Sequence, residues 1–494
     1  MTKESSAEYK SIVKGTSLFG GVQVFQILIS IIRAKVVAVL LGPVGVGIQG
    51  LFVSGTQLIR SFTSFGLVQS AVRDVSSAHA SNNQDRISRT VTVLRKLVWI
   101  TGLLGMIAVI VLSPVLSKTS FGNTQYTVSF VFLSVILLFD QLANGQSVIL
   151  QGTRKLKYLA KSSVVGASIG LLVSIPLFYF FREKGIVPAL ILNSVTVYLL
   201  ARYFANKVPI QSVTVPIKEV FKEGRQMLVM GVAMSLTSIL SSASAYVLRG
   251  FISNTGGEVE IGLFHAGFAI INTYVGMVFT AMSTDYYPRL AGVHEDNEKC
   301  RQLVNQQGEV GSLLLTPLLV ICIAFMPIVI RILYSEEFLA ANNYILWAVP
   351  GMMFKLASWI ISFQFVAKGE SKLFMINELS ASLYMLLLNM LGYHLFGLSG
   401  VGASFSLGFL IYFIQVYLIA QKRYGFSFTK DFHKVYLPQL LFVFVSFFAA
   451  ISGSNMIKYI VCVPLIIISF IYSLKGLDSR ISIISLIKQK LKHE

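Results

Sequence analysis

A chain of 494 residues that is 54% apolar and only 13% charged carries more apolar surface than a water-soluble core can bury, which places it among polytopic membrane proteins. A net charge of +19 would suit a nucleic-acid binder, but the basic residues alternate between loops and are explained by membrane topology instead. Three cysteines, Cys300, Cys322 and Cys462, lack the number and spacing of a disulfide framework or a zinc site.

Fourteen apolar segments follow, each near or above the ~20 residues that a spanning helix needs. The first twelve residues are polar and run into segment 1 (13–41), too long for a signal-peptide core, so this helix is expected to be retained. Segment 1 carries Gln23, Gln26, Ser30 and Arg33 at spacings of 3, 4 and 3, which sets them on one helix face. Segment 2 (46–72) has Arg60 near its middle, with Thr56, Gln57, Thr63 and Ser64 within a turn of it. Segment 3 (96–116) is plain, whereas segment 4 (125–150) carries Asp140, Asn144, Ser147 and, just beyond its end, Gln151. Segments 5 and 6 (160–181 and 186–205) complete a first half. The stretch 206–225, with Pro209, Pro216 and charges on both sides, reads as a cytoplasmic link. Segment 7 (226–252) presents Ser235, Ser238, Ser242, Tyr246 and Arg249; segment 8 (262–288) contributes Asn272. After segment 9 (309–334), segment 10 (342–366) carries Lys355, Ser358 and Ser362. Segments 11 and 12 (373–396 and 399–421) complete a second half, and segments 13 and 14 (435–453 and 456–474) are appended.

Of the 41 Lys and Arg, 31 lie on the side shared by the two termini, 4 on the other (Lys118, Arg182, Lys184 and Lys458) and 6 inside segments. This asymmetry predicts cytoplasmic termini. Shifting the chain on itself by about 215 residues superposes Gly47 on Gly262, Gln57 on Asn272, Asp140 on Lys355 and Ser147 on Ser362. Arg33 falls on Arg249, and a slip of two residues lays "QGTRKL" (151–156) over "KGESKL" (368–373). Six segments per copy is an even number, so the copies are expected to be parallel repeats. The expected fold is an all-α polytopic membrane protein of about fourteen transmembrane helices. It comprises an N-lobe (1–205, helices 1–6), a linker (206–225), a C-lobe (226–421, helices 7–12) and appended helices 13–14 with a basic cytoplasmic tail (422–494). The two six-helix bundles would enclose a central cavity.

A charge at the centre of a bilayer helix costs about 2.5–3.5 kcal/mol on insertion scales, so intramembrane cations need a reason. Arg33 and Arg249 stand toward the outer ends of their segments and could snorkel to the headgroups; Arg60 and Lys355 are too central for that. The four cations face one central carboxylate, Asp140, which leaves an anionic ligand as the simplest missing partner. Guanidinium groups favour phosphate oxygens, so Arg33, Arg60, Arg249 and Lys355 are the candidate contacts to a phosphate-bearing ligand. Gln23, Gln26, Ser30, Gln57, Asn144, Ser242 and Asn272 are the candidate polar lining, although such residues also serve as interhelical glue. Asp140 and Lys355, opposite in charge at equivalent positions, could form a gating or coupling pair or contact the ligand.

Four stretches then carry a family resemblance: "LLGPVGVGIQGL" (40–51), "QGTRKLKYLA" after segment 4, "YYPRLA" (286–291) closing segment 8, and the "FK" of segment 10 followed by "FVAKGESKLF". Together, by order and spacing across about residues 10–421, they resemble the O-antigen and enterobacterial-antigen type flippases of lipid-linked oligosaccharides. These belong to the multidrug/oligosaccharidyl-lipid/polysaccharide exporter superfamily. The appended pair is similar to the fourteen-helix lipid II flippases of the same superfamily. The resemblance implies outward transport of an undecaprenyl-diphosphate-linked oligosaccharide by alternating access in a bacterial inner membrane. It implies no cofactor beyond a coupling ion (H+ or Na+) or the membrane potential, and lipids and glycan polymerase machinery as partners. A multidrug antiporter of the same superfamily would be expected to place carboxylates, not arginines, in the cavity. A membrane-embedded polymerase or ligase would need a catalytic constellation that the short outer loops and the inner loops lack.

Overall fold

The computed structural model describes residues 3–80, 83–211 and 213–481, and among these the regular structure is helical throughout. The helices are α1 (Lys3–Thr63), α2 (Leu67–Ala80), α3 (Gln84–Phe121), α4 (Thr127–Gly152), α5 (Leu156–Phe181), α6 (Ile186–Ala205) and α7 (Ile217–Ala269). They continue with α8 (Met277–Gly292), α9 (Asn297–Leu333), α10 (Asn342–Ala367), α11 (Ser371–Tyr424), α12 (Lys430–Ile451) and α13 (Asn455–Ile481). Among the described residues ten helical stretches are long and apolar enough to cross a membrane. Four of those stretches are interrupted, at Gly42, at Arg182–Gly185, at Gly257 and at Gly397, so the fourteen segments read in the sequence find their places.

The breaks also establish the repeat. Gly42 (φ 64°, ψ −170°) and Gly257 (φ 81°, ψ −176°) share a backbone conformation that only glycine adopts without strain, and they are 215 residues apart. Arg182 (φ 50°) pairs with Gly397 (φ 59°), and Arg154 (φ 55°) with Gly369 (φ 73°), at the same interval. The turn after α4 is hydrogen bonded like the turn after α10: the N–H groups of Thr153, Arg154 and Lys155 donate to the carbonyls of Ile149, Gln151 and Leu150, and those of Lys368, Gly369 and Glu370 to Gln364, Val366 and Phe365. The register is therefore 215 without the two-residue slip that the resemblance of "QGTRKL" to "KGESKL" suggests. The same register separates Arg33 from Arg249: Arg33 precedes its break by nine residues and Arg249 by eight, so the two point about 100° apart around their helices.

The chain packs as two compact units, one of 1–262 with 333–335, the other of 263–332 with 336–494. The link expected at 206–225 lies inside the first unit and does not divide the two. In the first unit the reason is that α7 lies along the second half of α1. Gly231 touches the backbone of Phe65 and Gly66, Tyr246 faces Gly55, and Gly262 meets the carbonyl of Pro43, so the two segments run antiparallel. A Cβ on Gly47 would come within 2.4 Å of the Glu258 carbonyl, and one on Gly262 within 1.9 Å of the Pro43 carbonyl. These two glycines are repeat mates, and their small size is what lets the backbones meet. At the other end Arg89 of α3 grips Glu219 and both oxygens of Glu223 (2.6–3.1 Å for the latter), and Lys96 donates to the Val215 carbonyl at 2.6 Å. The Arg89 hydrogen bond holds the Glu223 carboxyl below the usual range.

In the second unit α10 packs chiefly on α11, whose two halves fold back on each other so closely that Gly392 touches the Gly400 carbonyl. The appended helices α12 and α13 are anchored here: Tyr436 donates to the Met353 carbonyl at 3.0 Å, Gln439 to Ser473 at 2.9 Å, and Leu477 and Val435 bury against Leu313 of α9.

Candidate functional site

The first unit holds a cavity of about 210 Å³ between the second half of α1, α4 and α6. Its polar wall is Thr56, Gln57 and Arg60 from α1, Asp140 from α4, and Asn193 and Ser194 from α6; Val53, Ile136, Leu137 and Leu190 supply the apolar wall. Gln57 and Arg60 reach it together because a spacing of three sets them on one face. Arg60 Nη1 donates to Asp140 Oδ2 at 2.8 Å, with the two side chains about one-third exposed. Ser194 Oγ donates to Asp140 Oδ1 at 2.5 Å. Just behind, Arg33 Nη2 donates to Asn193 Oδ1 at 3.3 Å, while its buried Nε meets no acceptor among the described residues. Gly170 of α5 makes room for this contact, since a Cβ there would fall 1.9 Å from Asn193 Oδ1.

The second unit carries the repeat-equivalent cradle with the charge inverted. Lys355, in the place of Asp140, donates to Asn272 Oδ1 at 3.3 Å, and Asn272 stands in the place of Gln57. Phe405 and Phe409 replace Leu190 and Ser194, and their rings, with that of Phe279, lie 5.4–5.9 Å from the ammonium. Such distances give cation–π attraction. Asn272 sits in a π-helical turn, Ile270–Val275, marked by the Gly276 N–H bonding five residues back to the Ile271 carbonyl. Turns of that kind recur at functional positions. Among the described residues no carboxylate pairs with Lys355.

The sequence-read residues therefore separate into two groups. Arg60, Asp140 and Gln57 share one cavity, with Arg33 adjoining it through Asn193; Lys355 and Asn272 form the second cradle. The pair that Asp140 makes is with Arg60, and the pairing considered between Asp140 and Lys355 is not the one made, because each residue faces partners within its own unit. Asn144 and Ser242 are half-buried and bond no side chain among the described residues, and neither lines the cavity; Gln26 is half-buried, Ser30 is exposed, and Arg249 is half-buried on α7. The side chain of Gln23 lies outside the described residues. Sequence reasoning missed Asn193 and Ser194, though two adjacent polar residues in the otherwise apolar "LILNSVTV" were a visible signal. It also missed the three phenylalanines, which looked like ordinary apolar filling.

A helical membrane fold with charged and amide side chains gathered inside its bundles is the architecture of a transporter of polar solutes. Residues 36–343 match the model of the polysaccharide biosynthesis protein family, and the chain belongs to that family. It is 19% identical over 401 residues, 79% of this chain and 94% of the relative, to the lipid III flippase of Escherichia coli (strain K12). It is 22% identical over 405 residues, 80% of this chain and 94% of the relative, to a Shigella flexneri protein named as a candidate O-antigen transporter. Its fold is similar to that of the lipid II flippase MurJ in an inward closed conformation, with a TM-score of 0.67, 14% identity, and coverage of 92% of this chain and 98% of that one.

Proposed function

We propose that this chain is a flippase that carries an undecaprenyl-diphosphate-linked oligosaccharide from the cytoplasmic to the outer leaflet of a bacterial inner membrane, where glycan polymerase machinery receives it. The N-lobe (1–205) and C-lobe (226–421) work by alternating access, the 206–225 stretch links them on the cytoplasmic side, and both termini are cytoplasmic. Arg33, Arg249 and Lys355 contact the diphosphate. Arg60 lines the first-unit cavity, where its charge is paired with Asp140.

The observation that carries this reading is Lys355. An ammonium enclosed by three phenylalanine rings and one amide oxygen has no counter-charge among the described residues, and a phosphate oxygen would supply one. The direction of transport follows from the membrane potential: with the cytoplasm negative, each negative charge moved outward gains about 2.3 kcal/mol per 100 mV. The test is the amount and leaflet of lipid-linked oligosaccharide in cells lacking this chain, complemented with wild type or with Lys355→Met. Accumulation on the inner leaflet, relieved by wild type and not by the variant, is expected. Normal lipid-linked glycan in the deletion strain would end the proposal.

A further inference from the structure

The cavity in the first unit is poorly suited to a phosphate group. Arg60 and Asp140 cancel at 2.8 Å, so the pocket offers little net charge, and the Asp140 carboxylate would repel an anion placed beside it. What the pocket does offer is hydrogen-bonding capacity of both kinds. Among the described residues the exposed Gln57 amide has no partner and Asn193 engages only its oxygen, leaving its NH2 group open. Arg60 uses one N–H on Asp140, and each oxygen of Asp140 accepts one bond, leaving lone pairs free. A phosphate only accepts, whereas a hydroxyl donates and accepts, so donors and acceptors side by side match a polyol. Leu137 and Leu190, one helical turn from Asp140 and Asn193, line the same pocket, and Leu190 offers apolar surface to the C–H face of a ring. The volume of about 210 Å³ lies below the ~300–1,000 Å³ of sites that hold drug-sized ligands, so a single ring fits and a whole oligosaccharide does not.

We propose that this pocket is a monosaccharide subsite, in which Gln57, Arg60, Asp140 and Asn193 read the hydroxyls of one sugar ring of the transported glycan. It rests on the flippase reading for the identity of the cargo. The inferred division is that the pocket at Asp140 holds sugar while the equivalent cradle at Lys355 holds charge.

The experiment is saturation-transfer NMR on the full chain in lipid nanodiscs, probed with glucose, galactose, N-acetylglucosamine and rhamnose, with inorganic pyrophosphate as competitor. At least one sugar should receive saturation, and equimolar pyrophosphate should leave that signal in place. Gln57→Ala should weaken binding about two- to tenfold, the worth of one net hydrogen bond. Because Gln57 is exposed and bonds nothing among the described residues, this variant keeps the fold; Asp140→Asn should abolish the signal. No sugar signal, an unchanged signal in Gln57→Ala, or displacement by pyrophosphate overturns the subsite. The leaflet assay separates the two failures. If wild type relieves accumulation while no sugar binds, the subsite alone is wrong; if sugar binds as described while the deletion strain shows normal lipid-linked glycan, the flippase reading is wrong.

Discussion

Lys355 and Asp140 occupy equivalent places in the two copies of the repeat and have opposite surroundings, which makes their substitutions diagnostic. Lys355 has no counter-charge among the described residues, so Lys355→Met should raise thermal stability in detergent by about 1–2 kcal/mol while abolishing transport. A residue kept only for packing would lose stability in the same substitution. Asp140 is held by Arg60 and Ser194, so Asp140→Ala should destabilise by about 1–3 kcal/mol, a figure set between the buried and the exposed limits for ion pairs. A double-mutant cycle read by thermal unfolding should show coupling between Asp140→Ala and Arg60→Ala and simple additivity between Asp140→Ala and Lys355→Ala. The cation excess was legible in the sequence, since charge inside an apolar segment stands out. Its partners were not, because Asn193 and Ser194 are more than fifty residues from Asp140 and only the packing of α6 on α4 brings them to it.

At the scale of elements, the helix breaks do what the glycines allow. Gly42 and Gly257 turn the chain where any side chain would be strained, and Gly47 and Gly262 let α1 and α7 touch backbone to backbone. Gly262→Ala should therefore cost about 1–3 kcal/mol by overpacking against the Pro43 carbonyl. Gly292→Ala, with nothing within 4 Å of the added methyl, should cost nothing measurable in the same thermal assay. The repeat was visible in the sequence as scattered matches, and the backbone supplied its register. Side-chain similarity at 151–156 and 368–373 pulled the alignment two residues off, because turn residues are constrained by φ and hydrogen bonding more than by identity.

For the whole molecule, the basic asymmetry and the segment count make a topological prediction. Alkaline phosphatase inserted after Lys118, Lys184 or Lys458 should be active outside the membrane, and the same enzyme fused after Glu494 should be inactive. An active enzyme at the C-terminal fusion would reverse the orientation, and with it the direction in which the potential drives an anionic cargo.

The sequence by itself determined the membrane class, the number of apolar segments, the duplication and the surplus of intramembrane cations, because length, periodicity and charge in apolar surroundings are local properties of the chain. Only the tertiary structure decided how those charges are used. It gave Asp140 to Arg60, enclosed Lys355 in phenylalanine rings and set Asn193 beside Arg33, because helices far apart in sequence meet through the shapes of their faces and the places where glycine lets them approach.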